Sequence, residues 1–299
     1  MKPPLSPNLR GILFMLAAVA AFSLMDTSLK VLSPHYPPMQ VAALRGLSSL
    51  PLVLIWIALS GGFHHVLSAR WFLHLLRGVL AVLMLAAFAF ALRDLPLAEA
   101  YSLFFIAPLL VTALAVPLLG ERVGWQRWCA IGVGLIGVLV VLRPDATRMI
   151  TLGSAAVLFA ATAYSLSAIT VRVLGRTDST QGMVFWMIVL LSLFAGLAAW
   201  KDWLPIHAEH WWVLAGLAFS GAFGQYAVTE AFKHTEASII APFEYTALAW
   251  GVGLDWLIWK TLPQPIVLLG AAIVVASGLF LLWSERRIDR RQADSTPAS

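Results

Sequence analysis

Ala21-Phe22-Ser23-Leu24-Met25-Asp26-Thr27-Ser28-Leu29-Lys30-Val31-Leu32 ends a long apolar run that opens near Gly11. Its echo stands in the second half of the chain. Ala163-Tyr164-Ser165-Leu166 leads to Arg172-Val173-Leu174, and Gly153 opens that run at the same spacing as Gly11. Both runs are long enough for a helix to cross a hydrocarbon core of about 30 Å, which takes about twenty residues. The chain therefore reads as a membrane protein built from two similar halves. In such proteins the halves can rock about a shared site near the bilayer midplane.

The composition agrees. Of 299 residues, 60% are hydrophobic and 12% charged, and the mean hydropathy is +0.84. A soluble chain of this length carries roughly twice that share of charge. A net charge of +5 raises the question of nucleic acid. The charges, however, sit in short loops and in the tail Glu285-Arg286-Arg287-Ile288-Asp289-Arg290-Arg291, with no basic face interleaved with aromatics. No nucleic-acid partner is expected. Cys129 is the single cysteine, so neither an intrachain disulfide nor a cysteine cluster for metal can form. The first run is too long for a signal sequence and carries Asp26 and Lys30, so it is expected to be retained.

Apolar stretches fall near residues 10–32, 39–61, 71–92, 97–119, 124–143, 151–174, 181–201, 211–233, 237–260 and 264–284, with proline, glycine and charged turns between them. The expected fold is an all-α membrane protein of ten transmembrane helices arranged as two inverted five-helix repeats. Residues 1–9 form a cytoplasmic N-terminus, 10–146 the first repeat, 147–284 the second, and 285–299 a disordered cytoplasmic tail. With both termini in the cytoplasm, Lys and Arg outside the spans favour the inner side two to one. Five spans per half is an odd number, so the halves run in opposite directions. Tryptophans such as Trp71, Trp125, Trp211 and Trp212 fall near segment ends, where the membrane interface holds them.

Ionisable groups at membrane depth cost about 2.5–3.5 kcal/mol each on insertion scales, so each needs a reason. Asp26 is four residues from Lys30, which offers local neutralisation. Yet Lys30 is echoed by Arg172 while Asp26 is echoed by Ala168, so the carboxylate is an addition to the repeat. Arg45 either snorkels outward or binds a carboxylate, and Arg77 is expected to snorkel inward. Glu244 and Asp255 stand eleven residues apart, close to three helical turns, and can share a face. Pro242 and Pro108 interrupt segments 9 and 4 in corresponding positions, a pointer to a binding site in repeat-built transporters. Gln225 and Thr229 are one turn apart on segment 8, and Glu230 with Lys233 is expected to be a surface pair.

Together these give ten candidate substrate contacts: Asp26, Arg45, Tyr101, Phe105, Tyr164, Gln225, Tyr226, Glu244, Tyr245 and Trp250. Aromatic rings would stack on a substrate, Arg45 would take a carboxylate, and Glu244 or Asp26 an amine or a proton. The histidines lie in loops or at ends, without metal-ligand spacing, and there is no Walker A sequence. No metal, no cofactor and no catalytic residue are assigned. An enzyme would need a nucleophile, a base and a metal converging at membrane depth, and no such set is visible.

Arg93-Asp94-Leu95-Pro96-Leu97-Ala98-Glu99-Ala100-Tyr101, continuing through Ala107-Pro108-Leu109 to Leu119-Gly120-Glu121-Arg122, resembles the fourth-helix motif of the EamA group of the drug/metabolite transporter superfamily. Ala241-Pro242-Phe243-Glu244-Tyr245 resembles its ninth-helix motif, and Arg45 and Arg77-Gly78 match as well. The resemblance covers nearly the whole chain. It implies ten helices in inverted five-helix repeats around a central cavity, with segments 5 and 10 at the periphery. It also implies the carriage of small metabolites, mostly outward: amino acids, vitamins, nucleotide-like cofactors, toxic compounds or metal-chelating metabolites. One departure is Trp259-Lys260-Thr261-Leu262-Pro263, where Gly-Glu commonly ends helix nine; Glu121 accordingly reads as a stabiliser of a helix end or loop.

The expectation is a secondary transporter of the bacterial inner (cytoplasmic) membrane working by alternating access, as an exporter of an amino-acid-like, zwitterionic or metal-chelating metabolite. Its partners are a small-molecule substrate, the lipid bilayer and a proton or counter-substrate; a homodimer is compatible with the sequence. The alternatives are an importer or exchanger of a vitamin or nucleotide-like cofactor and, more remotely, a membrane-embedded enzyme or assembly factor.

Overall fold

A computed structural model of the chain describes residues 7–32, 34–60, 66, 70–91, 103–121, 123–142 and 152–260, with isolated stretches between 265 and 280. Among these residues the structure is helical and contains no strand. The first repeat supplies α1 (Pro7–Leu32), α2 (Pro38–Leu59), α3 (Trp71–Ala91), α4 (Ala107–Leu119) and α5 (Trp125–Leu142). The second supplies α6 (Leu152–Leu174), α7 (Thr180–Ala199), α8 (Trp211–His234), the single turn α9 (Ala237–Ile240) and α10 (Ala247–Trp259). Five helices, namely α1, α2, α3, α6 and α7, are long and apolar enough to cross a membrane.

The punctuation is chemical. Pro38 enters α2 at its first turn, where a missing N–H costs nothing. Ser179 caps α7 by accepting the Gly182 N–H at 3.0 Å. Segment 9 is not one helix. Pro242 interrupts it, and a 3-10 stretch, Ala241–Thr246, joins α9 to α10. Thr246 donates its hydroxyl to the Phe243 carbonyl at 2.6 Å, taking up an acceptor in that stretch. Gly120 after α4 and Lys260 after α10 both adopt left-handed backbone, with φ of 71° and 54°. The two helices thus end alike although only one has the glycine.

The halves interleave rather than sit side by side. α1 packs on α8 and α6 on α3, pairs that exchange when the halves are swapped, while α2 packs on α7 and α4 on the 3-10 stretch. Ser23 and Ser165, 142 positions apart, behave alike: each donates to the carbonyl four residues back, Val19 and Ala161. Close approach depends on missing side chains. A Cβ on Gly224 would lie 2.8 Å from the Phe22 ring, and one on Gly78 2.7 Å from Leu190.

A polar belt ties the helix ends at the face where α1 begins. Arg10 lies 3.5 Å from Glu230, which also accepts from Thr180 and stands 3.3 Å from His234. The expected surface pair of Glu230 with Lys233 is not formed: Glu230 is buried, and the Lys233 ammonium donates to Thr180 at 3.3 Å. Arg77 does not snorkel either. It is 2% exposed and donates to the Met183 carbonyl at 3.3 Å, because α7 lies across its path to water. Glu121 accepts the backbone N–H groups of Ala237 (2.9 Å) and Ser238 (3.0 Å), so the first repeat caps the start of segment 9.

Candidate functional site

Two clusters of opposite character meet the interior, each built on a ring from the same place in its repeat. Phe22 on α1 and Tyr164 on α6 are 142 positions apart. The Arg45 guanidinium, from α2, lies 5.7 Å from the Phe22 ring centre. Its charge partner is Asp26, one helical turn beyond Phe22. Asp26 itself is exposed. Beside Lys30 one turn along its own helix, Asp26 thus also feels the charge of Arg45 from another helix. Gln225, on α8, lines a crevice with Arg45, Ser49 and Met187. Thr229 does not pair with the Gln225 side chain but donates to its backbone carbonyl at 2.7 Å, leaving the amide to the crevice.

The second cluster is acidic and aromatic. Tyr164 stands close enough to the Glu244 carboxylate, carried on the 3-10 stretch, for the two to act on each other. Glu244 Oε1 is buried without a hydrogen-bond partner among the described residues, as is the Tyr245 hydroxyl beside it in sequence. Tyr164 meets Phe104 with ring centres 5.8 Å apart, and Tyr245 meets Phe105 at 6.1 Å. A 3-10 geometry matters here. With three residues per turn, the stretch turns Glu244 and Tyr245 to different neighbours than a continued α-helix would.

Two expected residues stand apart. Tyr226 packs edge-on against Phe14 (5.9 Å) and Trp56 (5.2 Å), on the side of the Arg10–Glu230 belt. Trp250, on α10, is 45% exposed. Tyr101 lies outside the described residues, and so does the Asp255 side chain. Among the described residues no three His, Cys, Asp or Glu side chains gather as metal ligands.

Comparison with known proteins gives a consistent picture. The sequence profile described as the EamA-like transporter family matches residues 9–143 and again residues 151–283. A riboflavin transporter of Vibrio cholerae is 30% identical over 95% of this chain and 96% of its own length. An S-adenosylmethionine uptake transporter of Rickettsia prowazekii is 26% identical, over 96% and 97%. A pseudopaline exporter of Pseudomonas aeruginosa is 25% identical, over 91% and 95%. One crystal structure shares the fold with a TM-score of 0.81 at 18% identity, over 93% of this chain and 98% of that one.

Proposed function

The chain belongs to the EamA-like transporter family, and from that premise we propose that it is a ten-span secondary transporter exporting a small zwitterionic or amphipathic metabolite across the bacterial cytoplasmic membrane. Both termini lie in the cytoplasm. The two repeats alternate in exposing a midplane chamber to either side. The observation that supports this reading is the pairing of opposite chemistries on equivalent rings: Arg45 over Phe22, and Glu244 beside Tyr164. A substrate with an anionic and a cationic end finds a complement for each. Asp26 holds the Arg45 charge when the chamber is empty, and a substrate carboxylate displaces it. The unpartnered Glu244 oxygen is the place for an amine or a proton. Phe105, Tyr245, Gln225 and Tyr101 complete the lining. Tyr226 and Trp250, which stand apart from these two clusters, are left out of the lining.

A second reading, import or exchange, is favoured by relatives named for uptake of S-adenosylmethionine and for riboflavin. Helix count does not encode direction. Fusing reporters to the two ends tests the topology, and opposite locations would contradict it. Reconstituted Glu244→Gln protein tests the chamber: transport is expected to fall by at least tenfold, the order of one lost charge-assisted hydrogen bond. Wild-type rates would remove Glu244 from the mechanism.

A further inference from the structure

The turn that joins α8 to α9, residues 233–238, is held from several helices at once at the face where α1 begins. Glu121, just after α4, accepts the Ala237 and Ser238 backbone N–H groups. Arg127, on α5, donates to the Glu236 carboxylate at 2.7 Å and to the Ser238 hydroxyl at 3.1 Å. Arg172, on α6, donates to the Lys233 carbonyl at 3.0 Å and stands 3.8 Å from Glu121. A Cβ on Gly175 would lie 2.8 Å from the Lys233 side chain, so the chain after α6 meets the turn with no spacer. Thr235 meanwhile donates to the Pro7 carbonyl at 3.1 Å, which binds the turn to α1.

These ties join units that pack separately. α1 packs on α8 and α6 on α3, so the turn belongs with the first pair and Arg172 with the second. The repeat makes the opposite face the natural comparison. Gly120 and Lys260 end α4 and α10 alike in left-handed backbone, so Thr261 stands in the second repeat where Glu121 stands in the first. By that alignment Arg127 falls opposite Val267, and by the 142-position offset of Ser23 and Ser165 opposite Leu269. Arg172 falls opposite Lys30, which is exposed. Of Glu121, Arg127 and Arg172, only the last thus has a charged equivalent. A threonine hydroxyl cannot supply the two-oxygen, charge-assisted cap that Glu121 gives.

We propose that Glu121, Arg127 and Arg172 form a latch that keeps the chamber shut at the face where α1 begins, and that the opposite face has no ionic counterpart. The inference rests on the alternating-access reading above and gives it a bias: the empty chain favours the state closed at the latched face. The latch also reaches the site, because the held turn runs through α9 into the 3-10 stretch that carries Glu244 and Tyr245. The three side chains act through that turn, as positioning residues. The inference depends neither on which face is cytoplasmic nor on the direction of transport.

The test uses spin-label distances in the full chain, reconstituted in lipid discs with Cys129→Ser. One label pair is Gly124→Cys with His234→Cys, at the latched face; the other is Pro34→Cys with Leu152→Cys, at the opposite face. All four sites are exposed. The double variant Arg127→Met with Arg172→Met removes both cations and leaves the Glu121 cap in place. The widened population at the latched face should rise at least about tenfold, the order expected for lost hydrogen bonds to charged groups, and the opposite pair should narrow in step. Arg176→Met, which removes an exposed cation close by, should change neither pair. Widening without narrowing at the opposite face is fraying, and would overturn the latch. An equal effect in Arg176→Met, or two wild-type populations that the double variant leaves unchanged, would overturn it too. A single population at both faces in every chain would overturn alternation itself, and the latch with it.

Discussion

Replacing Glu121 with alanine removes the group that fastens the start of segment 9 to the first repeat. The carboxylate is 9% exposed and accepts two backbone N–H groups, from Ala237 at 2.9 Å and Ser238 at 3.0 Å. Both donors sit at the head of α9, where no preceding helical turn supplies an acceptor. Alanine leaves two buried donors unsatisfied, and each costs about 1–3 kcal/mol. The expected loss is therefore about 2–6 kcal/mol. Arg172, 3.8 Å away, adds little to this because it also donates to the Lys233 carbonyl at 3.0 Å. Glu121→Gln keeps an acceptor oxygen but not the charge, and should lose about 1–2 kcal/mol. The control is Glu236→Ala. Glu236 pairs with Arg127 at 2.7 Å, but its side chain is 40% exposed, so the loss should stay within about 1 kcal/mol. The assay is melting in detergent followed by intrinsic fluorescence, for which the 13 tryptophans suffice. Glu121→Ala melting no earlier than Glu236→Ala would refute the reasoning. The damage should also reach transport, because Glu244 lies within two turns of the unfastened end.

Other expectations follow from local geometry. A Cβ on Gly134 would stand 2.7 Å from the ring of Tyr245, itself 1% exposed, so Gly134→Ala should cost about 1–3 kcal/mol. Gly132→Ala meets nothing within 4 Å and should be neutral or stabilising by up to about 1 kcal/mol; the two melting points compared side by side check this. Lys260 ends α10 with φ 54°, so Lys260→Val should lower stability by about 1–2 kcal/mol, whereas Lys260→Gly should not. Burial raises the Asp178 carboxyl, but hydrogen bonds from Thr177, His74 and the Arg70 backbone outweigh it and hold the group below its ordinary 3.8. Its contribution is thus complete above that value and fades as pH falls through the lower folded value; Asp178→Asn should flatten the acid limb of a melting-point profile.

The repeat and five of the spans could be read from the chain because a membrane demands long apolar helices. Twenty apolar residues between turns leave little choice of structure, and α1 and α2 begin and end within three residues of the expected bounds. Pro242 marks the interruption of segment 9, but a proline does not say what replaces the helix, and the 3-10 stretch packs against α1, α4 and α5. Pairing was less legible. Glu230 with Lys233 is a reading from neighbours along one helix, whereas Glu230 finds Arg10, which arrives from the far end of the chain. Local spacing carries no information about such contacts. The contact of the Tyr36 hydroxyl with His210, 174 positions away, is invisible to sequence reading for the same reason.

The central claim is a polar chamber, set between the two repeats, that carries a metabolite with both charges. Its most direct test compares metabolite pools inside and outside cells with the gene silent, with wild-type protein, and with Glu244→Gln. The account predicts at least one zwitterionic or amphipathic metabolite whose distribution shifts outward with wild-type protein and reverts with the variant. Pools that are indifferent to the protein, or equally shifted by the variant, would contradict it.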